Sequence, residues 1–192
     1  INEILADPDA TNGDANGDGT RDGSEDEFVE IVNNDGASVD ISGWTINDGF
    51  GLRHTFPAGT VLADGEPIVV FGGGTPTGPF GGALVQTATD GQLGLNNGGD
   101  TVTLNDGTSD VDSHTYGSEG GNDESITRDP DITGSTFVAH SGATGSGGAL
   151  FSPGTQIDGS SFSGGAADTT PPAFVSAAVD GTTLTITYDE AL

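Results

Sequence analysis

Apolar and polar positions alternate in short stretches along most of the chain, and each stretch ends at a turn signal. The clearest are residues 1–5, 27–32, 38–41, 44–46, 67–71, 83–87, 100–104, 111–116, 125–128 and 136–139. A period of two residues puts successive side chains on opposite faces of a strand. Between the stretches stand Asp35-Gly36, Asp48-Gly49, Asp64-Gly65, Asp90-Gly91, Asn97-Gly98 and Asp106-Gly107. Such pairs accept the positive φ that tight hairpin turns need. No segment sustains a 3.6-residue period with helix caps. Strand signals spaced this way predict an all-β sandwich or barrel.

The pattern fades after Ala139. Residues 141–171 run through Gly, Ser, Ala and Thr with Phe151 and Phe162 as isolated anchors, and lead into the Pro171-Pro172 junction. This reads as a Gly/Ser-rich tail and stiff linker, laid over the preceding domain. Beyond it, residues 172–192 read as strand, Asp180-Gly181 turn and strand, the first two strands of a further, incomplete β-module. The expected organisation is a domain over 1–140, a tail over 141–171 and a module fragment over 172–192. The sequence opens at Ile1 without methionine or a basic leader, so a signal peptide is expected to have been removed or not included.

Charge narrows the function classes. Thirty acidic residues face three arginines and no lysine, for a formal net charge of −27. That field repels nucleic-acid phosphates and anionic membrane surfaces, so neither is an expected partner. No apolar run approaches the ~20 residues of a membrane span. Cysteine is absent, which removes disulfides, thiol chemistry and cysteine zinc sites. The remaining readings are a surface solvated in salty water, or local clusters neutralised by divalent cations.

Residues 14–25 supply such a cluster: Asp-Ala-Asn-Gly-Asp-Gly-Thr-Arg-Asp-Gly-Ser-Glu. They match a calcium loop with oxygen ligands at positions 1, 3, 5, 7, 9 and 12 and glycine at 6. The candidate ligands are Asp14, Asn16, Asp18, Thr20 (through its carbonyl), Asp22 and Glu25, with Gly19 at the sharp turn. Calcium is a hard ion that takes six to eight oxygens, which alternate side chains of a tight loop can converge upon. Eight acids lie between Asp7 and Glu27 beside a single Arg21. Two carboxylates ~4 Å apart repel by ~4 kcal/mol at an effective dielectric of ~20, so a cation would relieve the fold. Asp7, Asp9, Asp26 or Glu27 are candidates to complete the shell or hold a second ion. The flanking residues 1–6 and 28–32 read as strands, so the loop is expected to staple two strands rather than move two helices.

Several stretches together resemble the bacterial lamin-tail domain: Ile1-Asn2-Glu3-Ile4-Leu5, the acidic loop, and Asp26-Glu27-Phe28-Val29-Glu30-Ile31-Val32-Asn33. Ile41-Ser42-Gly43-Trp44-Thr45-Ile46, His54-Thr55-Phe56-Pro57-Ala58-Gly59-Thr60, residues 93–104 and residues 123–128 extend the likeness to about residues 1–140. The resemblance implies an immunoglobulin-like β-sandwich of secreted multidomain bacterial proteins, with the acidic loop inserted between its first two strands. The tail from Asp168 resembles the start of a bacterial immunoglobulin-like surface repeat.

Other features have plainer readings. Trp44 is expected as a buried sandwich tryptophan, with a sugar-stacking platform as the alternative. His54, His114 and His140 lack zinc spacing. Asp112-Ser113-His114 invites a nucleophile reading, but catalytic Ser and His meet through the fold and not through adjacency. Gly72-Gly73-Gly74 and Gly81-Gly82 bracket a Pro-containing segment that reads as a flexible hairpin tip.

The chain therefore reads as no enzyme but a calcium-stabilised structural or adhesion module. Its expected place is a secreted, cell-surface or matrix protein, with calcium as cofactor and self-association, other surface proteins or polysaccharide as partners. Donation of the strands near 173–188 to a neighbouring copy is one expected route of assembly. The alternative is a non-catalytic polysaccharide-binding module of a secreted exoenzyme. A metal-dependent nuclease or phosphatase is a third reading, and the scarcity of basic residues opposes it.

Overall fold

The computed structural model describes residues 1–163, 174–180 and 183–188. Strands β1 (Glu3–Leu5), β2 (Phe28–Val32), β7 (Pro67–Phe71), β8 (Leu84–Thr87), β11 (Ile126–Arg128) and β12 (Phe137–Ala139) form a six-stranded sheet in the order β12-β11-β1-β2-β7-β8. Strands β4 (Thr45–Asn47), β5 (Leu52–Thr55), β9 (Asp100–Asn105) and β10 (Asp110–Tyr116) form a second sheet in the order β10-β9-β4-β5. The short strands β3 (Val39–Asp40) and β6 (Val61–Leu62) pair separately, as do β13 (Phe174–Asp180) and β14 (Thr183–Tyr188).

The all-β expectation holds, and the alternation explains how the sheets bury. Ile4, Val29, Ile31, Ile68, Val70 and Ile126 of the first sheet face Ile46, Val102, Leu104 and Tyr116 of the second, forming the main core. This is the inward half of each strand's two-residue period. The other face of the six-stranded sheet is buried too. Leu5, Phe28, Val69 and Phe71 pack there against Ala15, with Phe80, Ala83, Val85 and Phe151 partly buried around them. All of β7 is buried, as its unbroken Pro-Ile-Val-Val-Phe run requires of a strand covered on both sides.

Two expectations need correction. Strand β5 and the short β6 were not legible as alternating stretches, because β5 places Arg53 and His54 between Leu52 and Thr55. The segment after β7 is no hairpin tip: β7 and β8 run parallel, so the chain must travel back along the sheet before pairing. Nor are Gly72, Gly73 and Gly74 a spacer. A Cβ on Gly72 would stand 1.8 Å from the Ser24 carbonyl oxygen, and one on Gly74 would stand 2.4 Å from Asn16 Nδ2. These glycines let the backbone seat against the acidic loop.

His140 and residues 141–163, the first part of the expected tail, lie over the outer face of the six-stranded sheet. His140, Ala143, Ser152, Ile157 and Phe162 are buried there. Strands β13 and β14 pair antiparallel, from Phe174 opposite Tyr188 to Asp180 opposite Thr183. The Pro171-Pro172 junction and Gly181 lie outside the described residues.

Candidate functional site

The acidic loop connects β1 to β2, which are adjacent antiparallel partners with Leu5 opposite Phe28. Its conformation follows from side-chain oxygens capping nearby amides. Asn16 Oδ1 accepts from the Asp18 amide at 3.0 Å, and Asp18 Oδ1 from Thr20 at 2.9 Å. Asp22 Oδ1 accepts from Ser24 at 2.8 Å and from Glu25 at 3.1 Å. Asp14 Oδ2 accepts from Gly19 at 3.0 Å, closing the first turn across five residues. Asp and Asn favour these local turns because a short side chain reaches the amide two residues on.

The loop closes on Asp26, whose role spacing alone did not single out. Its Oδ1 accepts from the Asn16 amide at 3.0 Å and its Oδ2 from the Asp22 amide at 2.7 Å. Asp26 is fully buried; burial raises its pKa, against the lowering effect of the two amides. The loop also docks on the segment after β7. Thr75 N donates to Asp18 Oδ2 at 3.2 Å, Thr77 N to the Asn16 carbonyl at 2.8 Å, and Gly73 N to the Glu25 carbonyl at 3.1 Å. Arg21 turns back to the Pro8 and Asp9 carbonyls. Docked on both sides, the loop is part of the fold and no free excursion.

The six expected ligands are therefore drawn together unequally. Asp14, Asn16 and Asp18 are buried or half-buried within the closed loop, whereas Thr20, Asp22 and Glu25 are exposed. Among the described residues, no three His, Cys, Asp or Glu side chains converge closely enough to hold a metal ion. One atom nevertheless lacks a partner. Asp14 Oδ1 is buried and accepts no hydrogen bond, an expensive state for a carboxylate oxygen. The donor set is all oxygen, as a hard cation wants. Each carboxylate offers about four lone-pair sites, so the amide bonds leave capacity for an ion. In donor chemistry these residues suit calcium, although their carboxylates do not converge on one point in this conformation.

The other candidates go elsewhere. Asp9 Oδ1 caps its own turn through Thr11 at 3.0 Å and Asn12 at 2.6 Å. Glu27 turns away from the loop, and its Oε2 accepts from Gly94 at 2.8 Å and Leu95 at 3.2 Å. Burial pushes its pKa up to about 8, against those two amides. Trp44 is half-buried at the edge of the core and lines a groove of about 440 Å³ with Val39, Ile41, Leu62 and Val111. Within Asp112-Ser113-His114, Ser113 turns to the opposite face of β10 from Asp112 and His114. Asp112 meets Arg128 at 3.2 Å, Ser113 meets Thr103 at 3.3 Å, and His114 stacks on Phe137 at 3.7 Å.

A buried polar cluster that the sequence did not announce sits on the outer face of the six-stranded sheet. Glu3 and Glu30 are cross-strand partners, and both are fully buried. Burial raises both pKa values, that of Glu30 strongly, and the neighbouring Glu3 charge adds to the shift at Glu30. Nothing in the alternation of β1 and β2 distinguishes them from solvent-facing acids. Only the covering by the turn-rich residues 140–163 makes them interior.

No curated protein matches the chain significantly. A family model described as Lamin Tail Domain matches residues 1–118, which run from β1 through β10 and include the acidic loop. The match stops short of β11 and β12, which complete the six-stranded sheet on its β1 side. With most of the chain matched and two packed β-sheets in place, the protein belongs to the lamin tail domain family, an immunoglobulin-like module.

Proposed function

We propose that this protein is a non-catalytic structural module whose fold is stabilised by calcium in the acidic loop, and that it serves at a cell surface or in an extracellular matrix. The observation that carries the reading is the buried, unpartnered Asp14 Oδ1 in a loop of oxygen donors. Asp14, Asn16, Asp18, Asp22 and the Thr20 carbonyl would hold the ion, with Glu25 swinging in from solvent and Asp26 fixing the loop amides. Calcium would supply countercharge there and nothing reactive. An extracellular-type affinity of ~10⁻⁴–10⁻³ M suits such a staple. At calcium ~100 times its dissociation constant, binding would stabilise the fold by ~2.7 kcal/mol.

Because the loop joins β1 to β2 and rests on the segment between β7 and β8, an ion there would brace three central strands of one sheet. That suits a load-bearing part of a secreted protein that assembles with copies of itself or with other surface polymers. The test is the melting temperature with calcium, with magnesium and after chelation. A calcium-specific rise of several degrees is expected, and Asp14→Ala should abolish it. Equal melting temperatures in all three conditions would refute the reading. A second reading, a polysaccharide-binding module, is favoured by the Trp44-lined groove; a glycan array separates the two.

A further inference from the structure

The buried cluster between the sheet and residues 140–163 has a proton count that its hydrogen bonds fix. Ser152 Oγ lies 2.8 Å from Glu3 Oε2 and 2.8 Å from His140 Nε2. His140 Nδ1 lies 2.9 Å from the Ala149 carbonyl. A carbonyl only accepts, so Nδ1 carries a hydrogen. Ser152 Oγ has one hydrogen to give. If Glu3 were ionised and His140 neutral, one of the two contacts at Ser152 would set lone pair against lone pair. Both contacts are satisfied only with one more proton in the chain. Either Nε2 donates to Ser152 and Ser152 to an ionised Glu3, or a protonated Glu3 donates to Ser152 and Ser152 to Nε2. Either way the chain is electrically neutral, as a site with Glu3, His140 and Ser152 all buried demands.

We propose that residues 140–163 form a strap whose docked state holds one proton between Glu3 and His140 through Ser152, a proton taken up on docking only at pH values above the ordinary imidazole range. The strap grips the sheet largely through carboxylates. Its Ser152, Gly154 and Ile157 amides donate to Glu3 (2.9 Å), Glu30 (2.7 Å) and Asp131 (3.0 Å). Ser125 Oγ from the sheet donates to Glu3 Oε1 at 2.5 Å. The titratable groups facing the chain are Glu30 from β2 and Asp131 from the turn between β11 and β12, both bridged by Asn2. Farther along the strap, Glu124 accepts from the Ser141 amide at 2.6 Å and Asp129 from the Thr144 amide at 3.0 Å.

The linkage has a definite sign. In an undocked strap an exposed carboxyl ionises near pH ~4.3 and an exposed imidazole loses its proton near pH ~6.5. Between those values open and docked forms bind the same single proton, and the chain's contribution is greatest. Above pH ~6.5 the open form holds none and the docked form one, so docking weakens about tenfold per pH unit. Below pH ~4.3 the open form holds two, and docking weakens again. Glu30 adds a loss in the same direction as pH rises, because its folded value is also raised. Release of the strap would free about 80 Å of extended chain ahead of the following module.

Amide-exchange protection of Ser152, Gly154 and Ile157, corrected for intrinsic rates, should fall from pH 6.5 to 8.5 more steeply than that of the β9 amides. Glu3→Gln places a permanent donor against Ser152, as the protonated acid does. Its slope should be shallower than that of the wild type by about tenfold per pH unit, leaving the Glu30 part. Identical slopes in the two proteins would overturn the proposal. Should the variant not fold, nitrogen and carboxyl-carbon chemical shifts of the unaltered protein decide. A proton on His140 Nε2 or on Glu3 at pH 7.5 is expected, and its absence from both sinks the shared-proton strap.

Discussion

Single side chains carry the sharpest consequences of burial in this protein. Tyr116 is 3% exposed and its hydroxyl has no partner. It stands opposite Asp100 in the β9–β10 ladder, and Asp100 spends both oxygens on the backbone amides of Gly49, Asn96 and Thr101 and on the Asn96 side chain. An unpaired buried hydroxyl costs about 1–3 kcal/mol. Tyr116→Phe removes that cost while keeping the ring, so chemical denaturation should show it equal to the native protein or about 1 kcal/mol more stable. A loss above about 1 kcal/mol would mean that the hydroxyl has a partner in solution. Gly49 illustrates a different residue-scale constraint. The Asp48-Gly49 pair reads as a positive-φ turn, yet Gly49 does not take a positive φ. Gly49 is instead a close approach: a Cβ there would sit 2.8 Å from Asp100 Oδ1.

At the scale of elements, carboxylates do the tying that hydrophobic contacts do elsewhere. Asp26 closes the acidic loop, Glu27 holds the 93–95 segment, Asp48 locks the β4–β5 turn, and Glu3 and Glu30 receive the strap. Each uses acceptor oxygens to satisfy loop amides that no strand pairs. Those held in exposed turns, such as Asp22, keep a lowered pKa because backbone amides stabilise the charge. Glu3, Asp26, Glu27 and Glu30 move the other way because burial outweighs their hydrogen bonds. Buried Asp48, by contrast, is held low against its desolvation by the Arg53 pair. Glu27, with its folded value near 8, should weaken the fold as pH rises. Its contribution is fullest below the ordinary carboxyl range near ~4.3, declines through neutrality and levels off above pH ~8. Glu27→Gln keeps an oxygen for Gly94 and Leu95 and should flatten the stability profile between pH 5 and 8. The expected difference is a few kcal/mol across that window, from urea midpoints at each pH. Superimposable profiles would show that Glu27 ionises freely in the folded protein.

For the whole molecule, a formal net charge of −27 sets the background for every local bond. The three arginines are each committed: Arg53 to Asp48 and Asp90, Arg128 to Asp112, and Arg21 to backbone carbonyls. Self-repulsion is therefore damped mainly by ions in solution. Raising sodium chloride from 0.01 to 0.15 M shortens the screening length from ~30 to ~8 Å, so the melting temperature should rise without calcium. Calcium at matched ionic strength should add a further rise only while Asp14 is intact. A melting temperature that falls with salt would show that ion pairs outweigh the net repulsion.

Alternation and turn dipeptides alone determined the all-β class and most strands, because a period of two and a glycine turn are local properties. The Gly-Trp and Asn-Gly-Gly-Asp stretches carried the family likeness for the same reason. The acidic loop was legible as a run of oxygen donors, and Asp14, Asn16, Asp18 and Asp22 do share one closed loop. What spacing could not supply was direction. Asp26 and not Glu25 closes that loop, since Glu25 lies against Gly73 while Asp26 points inward. The tertiary structure also decided which acids are interior. Glu3 and Glu30 follow the same local pattern as solvent-facing residues, and a segment more than a hundred positions away buries them. Local chemistry fixes a strand and its turn; burial depends on what the rest of the chain lays over it, and with burial come proton affinity and the linkage to pH.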